Sequence, residues 1–390
     1  MADKRVPYHE QRDVRNTIKL REVLSTLPEF AKNYFRAEDM KTSTNTRIRY
    51  AYCIRIFFEF LKQSNPLYKD YALTDFELSD LERVTPNDIV EYIEFLKAYT
   101  PPSADASDIN TYVTNGEKGI KQKLSSLRSF YAYFYKQGDI SNNPTVKVDM
   151  PKLHQKEIIR LEPDEVARLL DYVESAGEDM NSHQRAYYEK TKSRDFAIMT
   201  MLLGTGIRVS ECVGLDIEDV DFHTNSIKVF RKGGNEAFVY FGEEVADALK
   251  AYLEDRNEII PKPGHEHALF YSSQRKRIGV KTVENMVKKY AQRTTTKHIT
   301  PHKLRSTFGT NLYRESGDIY LVADVLGHKD VNTTRTHYAA MADSRRRQAA
   351  RMVRLREDAE SSEETEKHND PDSSPENNLE SRRKGNKKEE

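Results

Sequence analysis

Six residues in the second half of this 390-residue chain have the types, and the order, that metal-free phosphodiester chemistry needs: Arg208, Lys232, His302, Arg305, His328 and Tyr338. Three local contexts are distinctive. They are Thr205-Gly206-Ile207-Arg208, His302-Lys303-Leu304-Arg305, and Leu326-Gly327-His328 with Tyr338 ten residues further on. An anionic phosphate must be neutralised before a negative group attacks it, which is work for preorganised cations. A tyrosine attacking phosphorus would hold the DNA end covalently and keep the bond energy for rejoining.

Each residue needs an element to place it. Gly204 and Gly206 bracket Thr205 and let the chain turn sharply, which puts Arg208 at a new helix start. Ser210 and Glu211 then lie within reach of the guanidinium, to hold it in place. Lys232 sits beside Gly233-Gly234-Asn235, a turn signal between Ser226–Phe230 and Ala237–Phe241, so a β-hairpin is predicted with the lysine at its tip. Thr300-Pro301 reads as N-cap and first helical residue. His302 and Arg305 fall at i and i+3 on one face near that N-terminus, where an anion is favoured. Gly327 ends a helix and leaves His328 on the following turn. Asn332 or Thr333 starts the next helix, which carries Tyr338. Taken singly, these are a surface Arg–Glu pair, a solvated turn lysine, an incidental His–Arg pair and a packed tyrosine. Only the ordered set is specific.

The rest of the chain reads as helices. Residues 1–24 are polar with little fold signal and are assigned to an N-terminal extension. A short helix is predicted from Leu27 to Asp39. Thr42-Ser43-Thr44-Asn45 is a cap region before Tyr50, Ile54, Phe57, Phe58 and Leu61, which recur at helical spacing. Asn87–Tyr99 and Lys118–Lys136 are further helices. Arg47 and Arg49 on the first aromatic helix, and Lys121, Lys123 and Arg128 on the last, are candidate DNA-backbone contacts beside aromatic residues that pack a core. The domain linker falls at 146–157, within residues 138–157, a stretch containing Gly138, Asn142-Asn143-Pro144 and Met150-Pro151 that lacks helical periodicity. Beyond it come a helix from Pro163 to about Val173, a polar excursion over 174–193, and a buried helix from Phe196 to Leu203. Later helices are expected near 243–256, 281–293, 301–314, 318–326 and 332–341, with a helix-compatible stretch at 343–356. Residues 357–390 are expected to be a disordered charged tail.

Bulk properties set limits. Lysine and arginine total 62, as do aspartate and glutamate, so net charge is zero. Residues 356–390 hold 12 acids and 7 bases, which leaves 55 bases and 50 acids elsewhere, a net of +5. A nucleic-acid surface must therefore be local. Apolar runs are too short to span a membrane. The charged start lacks a signal core, so a cytoplasmic, nucleoid-associated protein with reduced Cys53 and Cys212 is expected.

The ordered set resembles the tyrosine recombinase (phage-type integrase) family over roughly residues 20–356, most specifically over 155–345. The resemblance implies a mainly α fold with a small β-hairpin or sheet. A helical, SAM-like core-binding domain (25–145) would be joined by the linker 146–157 to a catalytic domain (158–356). It implies that Arg208 and Arg305 clamp the phosphate, Lys232 is the hairpin lysine, His302 and His328 are the two histidines, and Tyr338 is the nucleophile. The activity would be site-specific recombination through a 3′-phosphotyrosine and a Holliday junction, without ATP, metal or other cofactor. The partners would be double-stranded DNA sites and a homotetramer on DNA, held by 343–356, together with accessory DNA-bending or directionality factors. Two features depart from many Xer-like members. The interval from His328 to Tyr338 is ten, as in some transposon integrases, and Glu236-Ala237 follow Asn235 where another basic residue is common. Alternatives are a type IB topoisomerase-like nicking-closing enzyme and a DNA-binding protein that has lost catalysis. The length and the Leu-Gly-His element favour a recombinase, and the presence of all six residues argues against lost catalysis.

Overall fold

The Ser43 hydroxyl accepts from the Thr46 backbone N–H and so opens α3 (Thr44–Ser64), the helix that organises the first half of the chain. Its Ile54, Phe57, Phe58 and Leu61 are buried, at the spacing that puts them on one face. α6 (Glu117–Gln137) packs on α3 through Leu124, Leu127, Phe130 and Phe134, and stops where Gly138 takes a left-handed φ of 81°. Around this pair lie α1 (Tyr8–Leu24), α2 (Ala31–Ala37), α4 (Leu78–Arg83) and α5 (Pro86–Lys97). Two short strands, β1 (Ala98–Tyr99) and β2 (Val113–Thr114), pair antiparallel. Together these elements enclose a core rich in aromatic rings.

This computed structural model describes residues 6–101, 111–154, 158–231 and 234–328. Lys232, Tyr338 and the segments 343–356 and 357–390 therefore lie outside the described residues, as does the expected helix at 332–341.

A second core follows, built from residues between Leu161 and Leu304. Its helices are α7 (Pro163–Ser175), α8 (Ser182–Glu189), α9 (Lys192–Thr205), α10 (Val209–Cys212), α11 (Glu243–Asn257), α12 (Val280–Thr294), α13 (Pro301–Ser316) and α14 (Ile319–Leu326). A three-stranded antiparallel sheet runs in the order β3 (Val220–Asp221), β4 (Ser226–Phe230), β5 (Glu236–Tyr240), with Ser226 opposite Tyr240 and Phe230 opposite Glu236. α9 is buried nearly all round and touches α7, α11 and α13, so it is the axle of this half. The mainly helical fold with small sheets agrees with the sequence expectation.

Three expectations need correction. Residues 8–24, assigned to an N-terminal extension with little fold signal, form a 17-residue helix whose Leu20 and Val23 join the first core. Two apolar positions at i and i+3 are too short a pattern to read. The 174–193 excursion contains α8, held down by one residue: Tyr188 is 2% exposed and its hydroxyl donates to Val173 O at 2.9 Å. The helix expected to reach Tyr99 ends at Lys97, because Ala98 and Tyr99 pair with Thr114 and Val113.

Cys53 and Cys212 are both buried and free. Burial pushes the Cys212 thiol up to about 12. Among the described residues, no helix is long and apolar enough to cross a membrane.

Candidate active site

Arg208 stands at the N-cap of α10, immediately after the turn that ends α9. Gly206 makes that turn, with φ +63°. A Cβ there would lie 2.3 Å from the Phe308 ring, so both conformation and space demand glycine. Glu211 fixes Arg208 twice. One carboxylate oxygen accepts from the Arg208 backbone N–H at 2.8 Å and the other from Nη1 at 2.8 Å. The Glu211 side chain is only 5% exposed. Arg208 Nη2 also reaches Gly327 O at 3.4 Å.

Arg305 comes from the second turn of α13 and is 5% exposed. Its Nη1 donates to Gly206 O at 2.5 Å and its Nη2 to Leu326 O. Two arginines about a hundred residues apart in sequence therefore meet on adjacent carbonyls of one turn. Those carbonyls end α14, where the helix carries partial negative charge and orphan acceptors. The turn itself is a Schellman closure. Gly327 has φ +61°, its N–H donates to Asp324 O at 2.8 Å, and the His328 N–H donates to Ala323 O at 2.9 Å. His328 follows directly, half-buried.

His302 is exposed on the first turn of α13, three residues before Arg305. Thr300 is the N-cap residue of α13 and Pro301 its first helical residue, as expected, and the Thr300 side chain makes no capping bond. Lys232 and Tyr338 lie outside the described residues. The hairpin that precedes and follows Lys232 is present, with Arg231 N–H bonded to Asn235 O at 2.8 Å.

The tentative DNA contacts of the first half fall into two groups. Arg49 is exposed on α3 and Lys121 is half-exposed on α6. The others are tied into the fold. Arg128 donates to Thr145 O at 3.0 Å and to Val148 O, which clamps the chain as it leaves α6. Lys123 Nζ donates to Asn115 Oδ1 at 2.6 Å. Arg47 pairs with Asp39 at 2.5 Å.

One residue at this centre escaped the sequence reading. Arg231, at the end of β4, donates through Nη2 to Val325 O at 2.9 Å and through Nη1 to Asp324 O at 3.4 Å. The available signal was a second basic residue directly before Lys232.

The chain has relatives among known proteins. Residues 159–345 match the phage integrase family. The chain is 33% identical over 332 residues to tyrosine recombinase XerC of Caldanaerobacter subterraneus subsp. tengcongensis, covering 81% of this chain and 83% of that one. It is 30% identical over 344 residues to tyrosine recombinase XerS of Lactococcus lactis subsp. cremoris, covering 82% and 93%. In fold it is similar to the Tn1549 transposon integrase in complex with a circular intermediate DNA. That match has a TM-score of 0.56 at 19% identity, over 83% of this chain and 99% of that one. With a relative of 33% identity spanning four-fifths of its length, and the two arginines of the motif gathered on the turn that carries His328, this chain belongs to the tyrosine recombinases of the phage integrase family.

Proposed function

We propose that this recombinase cuts and rejoins double-stranded DNA at specific sites through Tyr338, with Arg208, Lys232, His302, Arg305 and His328 serving the same phosphate. One observation carries the assignment: Arg208 and Arg305 converge on the Leu326–Gly327 carbonyls beside His328. A guanidinium binds two oxygens at once, so two of them suit the two non-bridging oxygens of a phosphodiester.

Tyrosine has a reference pKa of about 10, so its phenol needs a base and a cationic field to attack at neutral pH. The Tyr338 oxygen forms a bond to phosphorus as the bond to the 5′-oxygen breaks. The phenolic proton passes to His302, and Lys232 supplies a proton to the departing 5′-oxygen. His328 donates a hydrogen bond to the phosphate. The products are a 3′-phosphotyrosine and a free 5′-hydroxyl. Attack by the 5′-hydroxyl of a partner strand reverses the steps and exchanges strands through a Holliday junction, with the bond count conserved. Two sites must then be held together. A homotetramer on DNA, joined through 343–356 and assisted by accessory DNA-bending or directionality factors, fits that need, as does action on DNA at the nucleoid. The two separate cores support a core-binding half and a catalytic half joined over 146–157.

The test is a nicked suicide duplex built on the core sequence that the protein selects from random DNA. The wild-type protein should give a denaturant-resistant adduct, and Tyr338→Phe none. An adduct with Tyr338→Phe would move the nucleophile elsewhere.

A further inference from the structure

Arg231 links two pieces of the candidate site that are far apart in sequence. Its backbone closes the β4–β5 turn, accepting from the Gly234 N–H at 3.1 Å and donating to Asn235 O at 2.8 Å. Its side chain crosses to α14 and supplies donors to Val325 O and Asp324 O. The guanidinium presses on Gly327, where a Cβ would lie 2.2 Å from Nη1 and 2.5 Å from Cζ. Its Nε is buried with no acceptor. A buried N–H left without a partner is costly, and is tolerated where the group's other bonds and its packing hold it in place.

The last carbonyls of a helix need donors from outside it. Here they are met in sequence order by three arginines. Arg231 takes Asp324 and Val325, Arg305 takes Leu326, and Arg208 takes Gly327. Arg208 and Arg305 have the phosphate as a second client. Arg231 is assigned no such contact: its guanidinium lies against Gly327 and the last α14 carbonyls, which it ties to the end of β4.

We infer that Arg231 is a positioning residue for His328: it locks the Gly327–His328 turn against the end of β4, and so sets where the imidazole meets the phosphate. This rests on the role proposed above for His328. Lysine is a poor substitute, since one ammonium lacks the fork that spans two carbonyls.

The test uses the full chain and the same nicked suicide duplex. Arg231→Ala should raise amide hydrogen exchange at Gly327 and His328 on the order of tenfold. It should slow adduct formation at saturating protein roughly 10–100-fold, the usual cost of losing a residue that orients a reacting group. Duplex affinity should stay within about threefold, and Arg231→Lys should recover little of the rate. The decisive arm is the cycle with His328→Ala. If Arg231 acts through His328, the double variant is no slower than His328→Ala alone; independent roles would multiply. Multiplying defects, a rate within twofold of wild type in Arg231→Ala, or unchanged exchange would each overturn the inference alone. A normal rate in His328→Ala would instead remove the role assigned to His328, and the inference with it.

Discussion

The two cores of this protein are built from different materials. The first is a nest of rings: Tyr34, Phe35, Phe57, Phe58, Phe130 and Phe134 are all 2% exposed or less, and many contact edge to face. Its described buried polar groups are few and small apart from Glu38 and Asp80. The second core buries whole arginines. Arg194 bonds Asp195 and Tyr271 O, with the Tyr290 hydroxyl donating to the far oxygen of Asp195 at 3.0 Å. Arg256 serves the carbonyls of Glu266, Ala268 and Leu269. Arg305 serves Gly206 and Leu326. Ring packing is adaptable and tolerates volume-conserving change. A buried cation is intolerant, because each lost partner leaves an uncompensated group. The half that holds the proposed phosphate site therefore uses the material that fixes geometry, and the other half uses the material that only needs to fill space.

The contrast predicts its largest effect at Arg305. Arg305→Ala should reduce single-turnover adduct formation roughly 10³–10⁵-fold, the scale on which an arginine stabilises a phosphoryl transition state. It should also lower stability by about 1–3 kcal/mol, because the Gly206 and Leu326 carbonyls lose donors. Rapid-quench kinetics and urea unfolding separate the two. A rate defect below tenfold would mean that Arg305 is a structural arginine like Arg194 and Arg256, and that burial rather than chemistry explains it.

Next in size is the Arg194–Asp195 pair, in the first turn of α9 at the opposite end from the Gly206 turn. Asp195→Ala leaves a guanidinium in the core and should cost about 3–5 kcal/mol in urea unfolding. Asp195→Asn keeps an acceptor and should cost less. In the first core, Phe130→Leu should cost no more than about 1.5 kcal/mol, since the neighbouring rings can close around a slightly smaller side chain. Equal losses for Asp195→Ala and Phe130→Leu would erase the difference between the cores.

The same contrast governs what the sequence disclosed. Ring cores announce themselves: the spacing of Ile54, Phe57, Phe58 and Leu61 gave α3, and the run from Lys118 to Lys136 gave α6 within one residue at each end. The glycines of the site were legible too, because Gly206 and Gly327 occupy left-handed positions where other residues are strained. The Arg208–Glu211 pair could be read from an i, i+3 spacing. What stayed hidden depends on long-range contact. Nothing local distinguishes Arg194, Arg256 or Arg231 from solvated arginines; only the approach of distant carbonyls does. Likewise α1 looks like a polar leader until Leu20 and Val23 meet α3, and until His9 stacks on Phe230 with centroids 4.3 Å apart. The carbonyl partners of Arg128 were hidden for the same reason, since they lie 17 and 20 residues downstream.

The smallest predicted effect separates the halves by pH. The first turn of α7 is fastened to the rest of the second core by two carboxylates. Glu165 bonds Lys297 at 2.5 Å and Thr295 at 3.0 Å, and Glu162 bonds Arg314 at 2.7 Å. Partial burial pushes the Glu165 carboxyl upward, but the Lys297, Glu162 backbone and Thr295 bonds together outweigh it and leave the group below its usual 4.5. The Arg314 bond does the same for Glu162. A carboxyl depressed by folding stabilises the native state fully above its unfolded pKa, and that stability fades as pH falls through the folded value. The second core should therefore lose a few degrees of Tm, about 2–4 °C per kcal/mol for a domain of this size, as pH drops from 5.5 to below 4. Glu162→Gln with Glu165→Gln should flatten that slope while lowering Tm at pH 7. Hydrogen exchange read separately on α3 and α7 would show which half responds. If α3 loosened first, the carboxylate fastening of α7 would not be what limits the second core in acid, and the weaker joints would have to be sought among the exposed carboxylates of the ring-packed half, beginning with Glu82 on the Ser141 N–H.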